Sequence, residues 1–80
     1  MNKHIANEIV GWYGILAIII AYALVSFQFV RPDDFMFQLL NLTGSLGIIV
    51  YSLYKKAYAS VFLNIFWCII ATVVLLRISL

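Results

Sequence analysis

Every charged side chain in this 80-residue sequence stands at the edge of an uncharged apolar run, and there are three such runs of nearly equal length. Ile9–Val30 carries no charge over 22 positions, Phe35–Tyr54 over 20 and Ala57–Leu76 over 20. At about 1.5 Å of rise per helical residue, each reaches across the roughly 30 Å hydrocarbon core of a bilayer. Lys3, Glu8, Arg31, Asp33, Asp34, Lys55, Lys56 and Arg77 all fall before, between or after the runs. The pattern predicts an all-α membrane protein: three transmembrane helices in a small bundle, forming a single domain over residues 1–80.

A water-soluble three-helix globule would need a polar stripe along each helix at 3.6-residue spacing. No run carries one with any charge in it, and an apolar fraction of 66% with a mean hydropathy of +1.11 suits lipid. A net charge of +2, with Lys55-Lys56 as its one basic pair at a membrane boundary, gives no reason to expect nucleic acid. Cys68 is the lone cysteine and lies mid-run, so it reads as a small hydrophobe without an intramolecular disulfide. Lys3, the run from Ile9 and Ala21-Tyr22-Ala23 imitate a secretory signal with its small-residue cleavage site. Glu8 lies in the segment that should be basic, however, and the run continues to Val30, so a retained helix is expected.

The first span is predicted to start near Asn7 or Glu8, with Asn7 capping and Glu8 at the positive end of the helix dipole. It is expected to end around Val30, where Arg31-Pro32-Asp33-Asp34 makes the first turn and Asp33 or Asp34 caps the next helix. Lys55-Lys56 closes the second span, and turns this short make successive helices antiparallel. Trp12, Tyr13, Tyr54 and Tyr58 sit where interfacial aromatic belts occur, whereas Trp67 is mid-span and is expected to pack or line something. Lys3, Lys55 and Lys56 on one side against Arg31 and Arg77 on the other predict a cytoplasmic amino-terminus.

Within the spans, small residues mark close helix contacts and polar ones turn inward. Gly11, Gly14, Gly44 and Gly47 are the packing candidates, and they exceed what one three-helix bundle readily uses, which predicts a homodimer. Gln38, Asn41, Ser45 and Ser52 fall on one face of the second span, with Gly44 and Tyr51 beside it. Ser60, Asn64, Cys68 and Thr72 form a ridge on the third, with Trp67 alongside. The hydroxyls read as interhelical glue. The amides of Gln38, Asn41 and Asn64 need several partners or water, so they either pack or line a pathway. No carboxylate, histidine or lysine lies inside a run, and His4 stands alone in what reads as a tail. No catalytic set, metal cluster, cofactor site or intramembrane proton relay can be assembled from such residues. Transport or packing is what remains.

The segment Gly44-x-x-x-Ile48-x-x-Tyr51, followed by Asn64 thirteen residues later, resembles the second and third helices of the SemiSWEET and PQ-loop group of small three-helix transporters. That resemblance implies a homodimer in which each chain gives half of a solute cavity. By it, Asn64, Tyr51, Asn41, Gln38, Tyr22, Trp67 and Ile48 become the candidate lining. Ile48 stands where the group has a sugar-stacking tryptophan, Ala21-Tyr22 where it has a proline-glutamine hinge, and Ser52 where it has a glycine. A second likeness is closer. Gly11-Trp12-Tyr13-Gly14, Ala21-Tyr22 and Gln38-x-x-Asn41-x-x-Gly44, with Leu63-Asn64, resemble a family of uncharacterised bacterial membrane proteins. It implies a bacterial inner-membrane setting and a three-helix fold. Two readings follow: a half-transporter for a small solute, or a non-transporting module such as an accessory subunit, a lipid-binding unit or an assembly partner.

Overall fold

The computed structural model describes residues 2–79 and contains three α-helices: α1 (Lys3–Ser26), α2 (Phe35–Tyr54) and α3 (Tyr58–Ser79). All three are long and apolar enough to cross a bilayer, and the bundle is 38 Å along its axis by 21 Å across. Its interior is built from small and polar residues. Among the described residues the buried hydrophobic side chains are Ala17, Ala21 and Ala71, while Ile19, Phe62, Phe66, Ile69 and Leu76 are exposed. Water would penalise that arrangement, but hydrocarbon is as apolar as leucine, so burial there is decided by how closely backbones approach. The chain has the build of an integral membrane protein.

The helix ends depart from the apolar runs chiefly in α1, while α3 runs on to Ser79, three residues past its run. α1 begins at Lys3, capped by Asn2, whose side chain accepts from the Ile5 amide at 2.8 Å. Asn7, expected as the cap, instead donates to the Lys3 carbonyl inside the first turns, and His4 lies within the helix rather than in a tail. The charge-free run marks less than the whole helix, which extends beyond the run at its start. At the other end α1 stops at Ser26, four residues before the run does. Gln28 adopts φ 64°, and its amide bonds Val25 O while Phe29 N bonds Leu24 O. This is a Schellman cap with glutamine where glycine usually sits. Lys56, at φ 59°, closes α2 in the same way through Lys56 N to Leu53 O and Ala57 N to Ser52 O. Asp34 caps α2 as expected, accepting from Met36 N and Phe37 N.

α2 is the central helix. It packs on α1 and on α3, while no Cα of α1 comes within 8 Å of one in α3 among the described residues. Toward α1 it presents Gly44 and Gly47, which meet Gly14, and Tyr51, which lies over Gly11. Gln38, Ser45 and Ser52, one every seven residues, are the other buried positions of α2. Ser52 donates to Ser60 of α3 at 2.9 Å, and Asn64 and Ala71 are buried seven apart on α3. At 100° per residue the two faces of α2 lie roughly a third of a turn apart. α1 and α3 therefore splay, leaving a cleft over the strip of α2 between them.

Candidate functional site

Three sequence candidates meet in that cleft. Tyr22 comes from α1, Asn41 from α2 and Trp67 from α3, with Ile18, Ala21 and Phe37 completing a hollow of about 120 Å³. Tyr22 and Trp67 are exposed at 73% and 45%, and Asn41 is half-buried. None of the three makes a side-chain hydrogen bond among the described residues. Asn41 lies about two turns into α2, within its charge-free run. Ala21 is small enough for α1 to approach α2 beside it.

The remaining candidates lie elsewhere. Tyr51 is spent on α1: a Cβ on Gly11 would stand 2.5 Å from the Tyr51 ring, and its hydroxyl donates to Glu8 Oε1 at 3.5 Å. Ile48 packs against Gly14. Asn64 is buried at 7% exposure and donates to the carbonyl and hydroxyl of Ser60 at 2.8 and 3.4 Å, inside the α2–α3 contact. Tyr51 and Asn64, which the transporter likeness pairs, therefore serve different helix contacts. Gln38 is 5% exposed, donates to the Pro32 carbonyl at 2.7 Å and leaves its Oε1 without a partner.

All four glycines are used within one chain, which removes the argument that they were in surplus. A Cβ on Gly14 would fall 2.5 Å from the Gly44 carbonyl oxygen, and one on Gly47 would fall 2.9 Å from that of Val10. α1 and α2 cross with their backbones almost in contact.

Several polar contacts were not read from the sequence. Glu8 pairs with Lys55 at 3.7 Å and His4 Nδ1 meets the Tyr54 hydroxyl at 3.3 Å, tying the start of α1 to the end of α2. Tyr13 and Thr43 share a hydrogen bond of 2.8 Å. At the opposite end an open cleft of about 600 Å³ lies between the first loop, α2 and α3, with Asp33, Gln38, Val74 and Arg77 in its wall. The signal available for it was the spacing of Ile70, Val74 and Ile78 at four-residue intervals around Arg77.

A protein-family model matches residues 7–80. The chain belongs to that family, an uncharacterised one. Neither the curated proteins nor the solved structures give a match. The match fits the uncharacterised three-helix family expected from the sequence, and it assigns no activity.

Proposed function

We propose that the chain is one protomer of a homodimer in the bacterial inner membrane, with a cytoplasmic amino-terminus, that forms a chamber for a small polar or amphipathic solute and catalyses no reaction. The observation that carries this reading is the Asn41 amide, without a side-chain partner in the cleft between α1 and α3. An amide left unpaired in hydrocarbon costs several kcal/mol, so partners or water must come from outside the three helices. A second copy laid over the open side brings a second Asn41, Tyr22 and Trp67 to face the first. About 120 Å³ is small beside the several hundred Å³ of ordinary ligand pockets, so the chamber needs both halves. The SemiSWEET-like arrangement of half-cavities agrees with this, with Asn41 rather than Asn64 and Tyr51 at the solute. No cofactor enters the reading.

The second reading, a non-transporting module, is favoured by the sealed Ser52–Ser60–Asn64 contact, which spends the third-helix amide on packing. The two separate in proteoliposomes. Photobleaching of singly labelled protein should show two steps per particle, and uptake of some member of a small-solute panel should vanish in Asn41→Leu. One bleaching step, or a dimer inert toward every solute, would return the module reading.

A further inference from the structure

We propose that the cleft between the first loop and the end of α3 is a phospholipid site, with the phosphodiester at Arg77 and one acyl chain along Ile70, Val74 and Ile78. The cleft straddles a membrane boundary, because Asp33 and Asp34 precede the charge-free run of α2 and Arg77 follows that of α3. Its apolar wall is a stripe: Ile70, Val74 and Ile78 recur at four-residue intervals, so their side chains stack along two turns of one helix face, about 12 Å. That is the length of a large part of an acyl chain entering from the head-group level.

The polar rim selects an anion. Asp33 lines the cleft, but its carboxylate is held by Arg31 at 3.2 Å, whereas Arg77 pairs with no acidic side chain among the described residues. Arg77 is therefore the cation of the wall without an acidic side-chain partner among the described residues. Guanidinium is suited to a phosphodiester because its fork matches two phosphate oxygens. Gln38 supplies a second, independent indication. It is nineteen-twentieths buried, forms part of the wall and donates one amide hydrogen to the Pro32 carbonyl, while its Oε1 is an acceptor without a donor. With the Nε2 bond to Pro32 kept, a hydroxyl or ammonium of the head group reaching into the wall would supply Oε1 with its donor. The occupant thus carries a phosphate, a hydrogen-bond donor beyond it and an alkyl chain below it.

The same chemistry could be supplied by free phosphate or by nonspecific annular lipid, and the test separates them. Delipidated protein in a non-ionic detergent is melted with added phosphatidylglycerol, diacylglycerol or inorganic phosphate, and lipid retention is followed by native mass spectrometry. Phosphatidylglycerol should raise Tm and remain bound one per chain, diacylglycerol should bind more weakly, and phosphate alone should do nothing. Arg77→Gln should weaken phosphatidylglycerol about tenfold, the order expected for one charged hydrogen bond, with Lys3→Gln, at the opposite end of the bundle, as the control. Arg77 is exposed, so its loss leaves the packed faces intact, and Val74→Trp should block the site by filling it. Equal binding of diacylglycerol, saturation by phosphate alone, or unchanged retention in both Arg77→Gln and Val74→Trp would overturn the proposal. None of these outcomes bears on Asn41, whose cleft shares no residue with this one.

Discussion

One methyl group at Gly14 probes the contact on which the fold depends most. A Cβ there would lie 2.5 Å from the Gly44 carbonyl oxygen and 2.9 Å from both the nitrogen and Cγ1 of Ile48. Carbon–oxygen contacts settle at roughly 3.3 Å, so α1 and α2 must part locally by about 0.8 Å. Two of those three atoms belong to backbone, so no side chain can swing away to absorb the clash. Parting the helices also weakens dispersion along the stripe from Gly11 to Ala21, and overpacking of this kind costs about 1–3 kcal/mol. Alanine recovers about 1 kcal/mol over glycine in a helix. With a backbone clash the upper part of the range applies, and Gly14→Ala should lose about 1–2 kcal/mol net. Gly44→Ala is the internal control. Its Cβ would meet Ile18 side-chain carbons at 3.0 and 3.1 Å and the Gly14 oxygen at 3.1 Å, mostly the end of a flexible side chain. There the two terms should nearly cancel. Reversible unfolding in mixed micelles with increasing SDS, followed by far-UV circular dichroism, measures both. A Gly14→Ala protein as stable as the parent, or more stable, would refute the backbone contact, because propensity alone makes alanine the better residue.

Asn64→Leu and Ser52→Ala should each lower stability by about 0.6–1 kcal/mol, the scale of interhelical hydrogen bonds in membranes, and the double variant should fall short of additivity because both involve Ser60. Mixed-micelle unfolding reads this too, and a stability gain in Asn64→Leu would show that the amide is not packing material. Gln28→Gly should stabilise by about 1 kcal/mol, since Gln28 carries φ 64° and glycine alone bears that conformation without Cβ strain; a loss would mean that the glutamine side chain has a separate role. Single cysteines at His4 and Ser79, in a Cys68→Ser background, should react with impermeant reagents from opposite sides of the membrane. Labelling of both from one side would rule out three crossings.

The sequence by itself determined how many helices are long and apolar enough to cross a bilayer, and where they lie. Hydrocarbon excludes unpaired charge and forces each segment to satisfy its own backbone, so charge-free stretches of bilayer length had one structural solution. The aspartate before Phe35 also had one, since its carboxylate meets free amides as soon as a helix starts. Helix ends are less constrained than the charge-free runs: α1 reaches back to Lys3 beyond its run and stops at Ser26 inside it, on a glutamine that carries no stop signal.

Only the tertiary structure decided which face meets which helix. Periodicity placed Gln38, Asn41, Ser45 and Ser52 on one stripe with Gly44 and Tyr51 beside it, and that grouping was geometrically sound. The stripe was wide enough to serve two neighbours. Gly44, Gly47 and Tyr51 went to α1 because only glycine opposite glycine lets backbones touch, Ser52 went to α3 because Ser60 offered a hydrogen bond, and Asn41 fell between. Tyr51 and Asn64 were separated for the same reason. A polar residue in a membrane helix must turn away from lipid, but toward which partner depends on where the small residues of the other helices fall, and that is a property of three helices together.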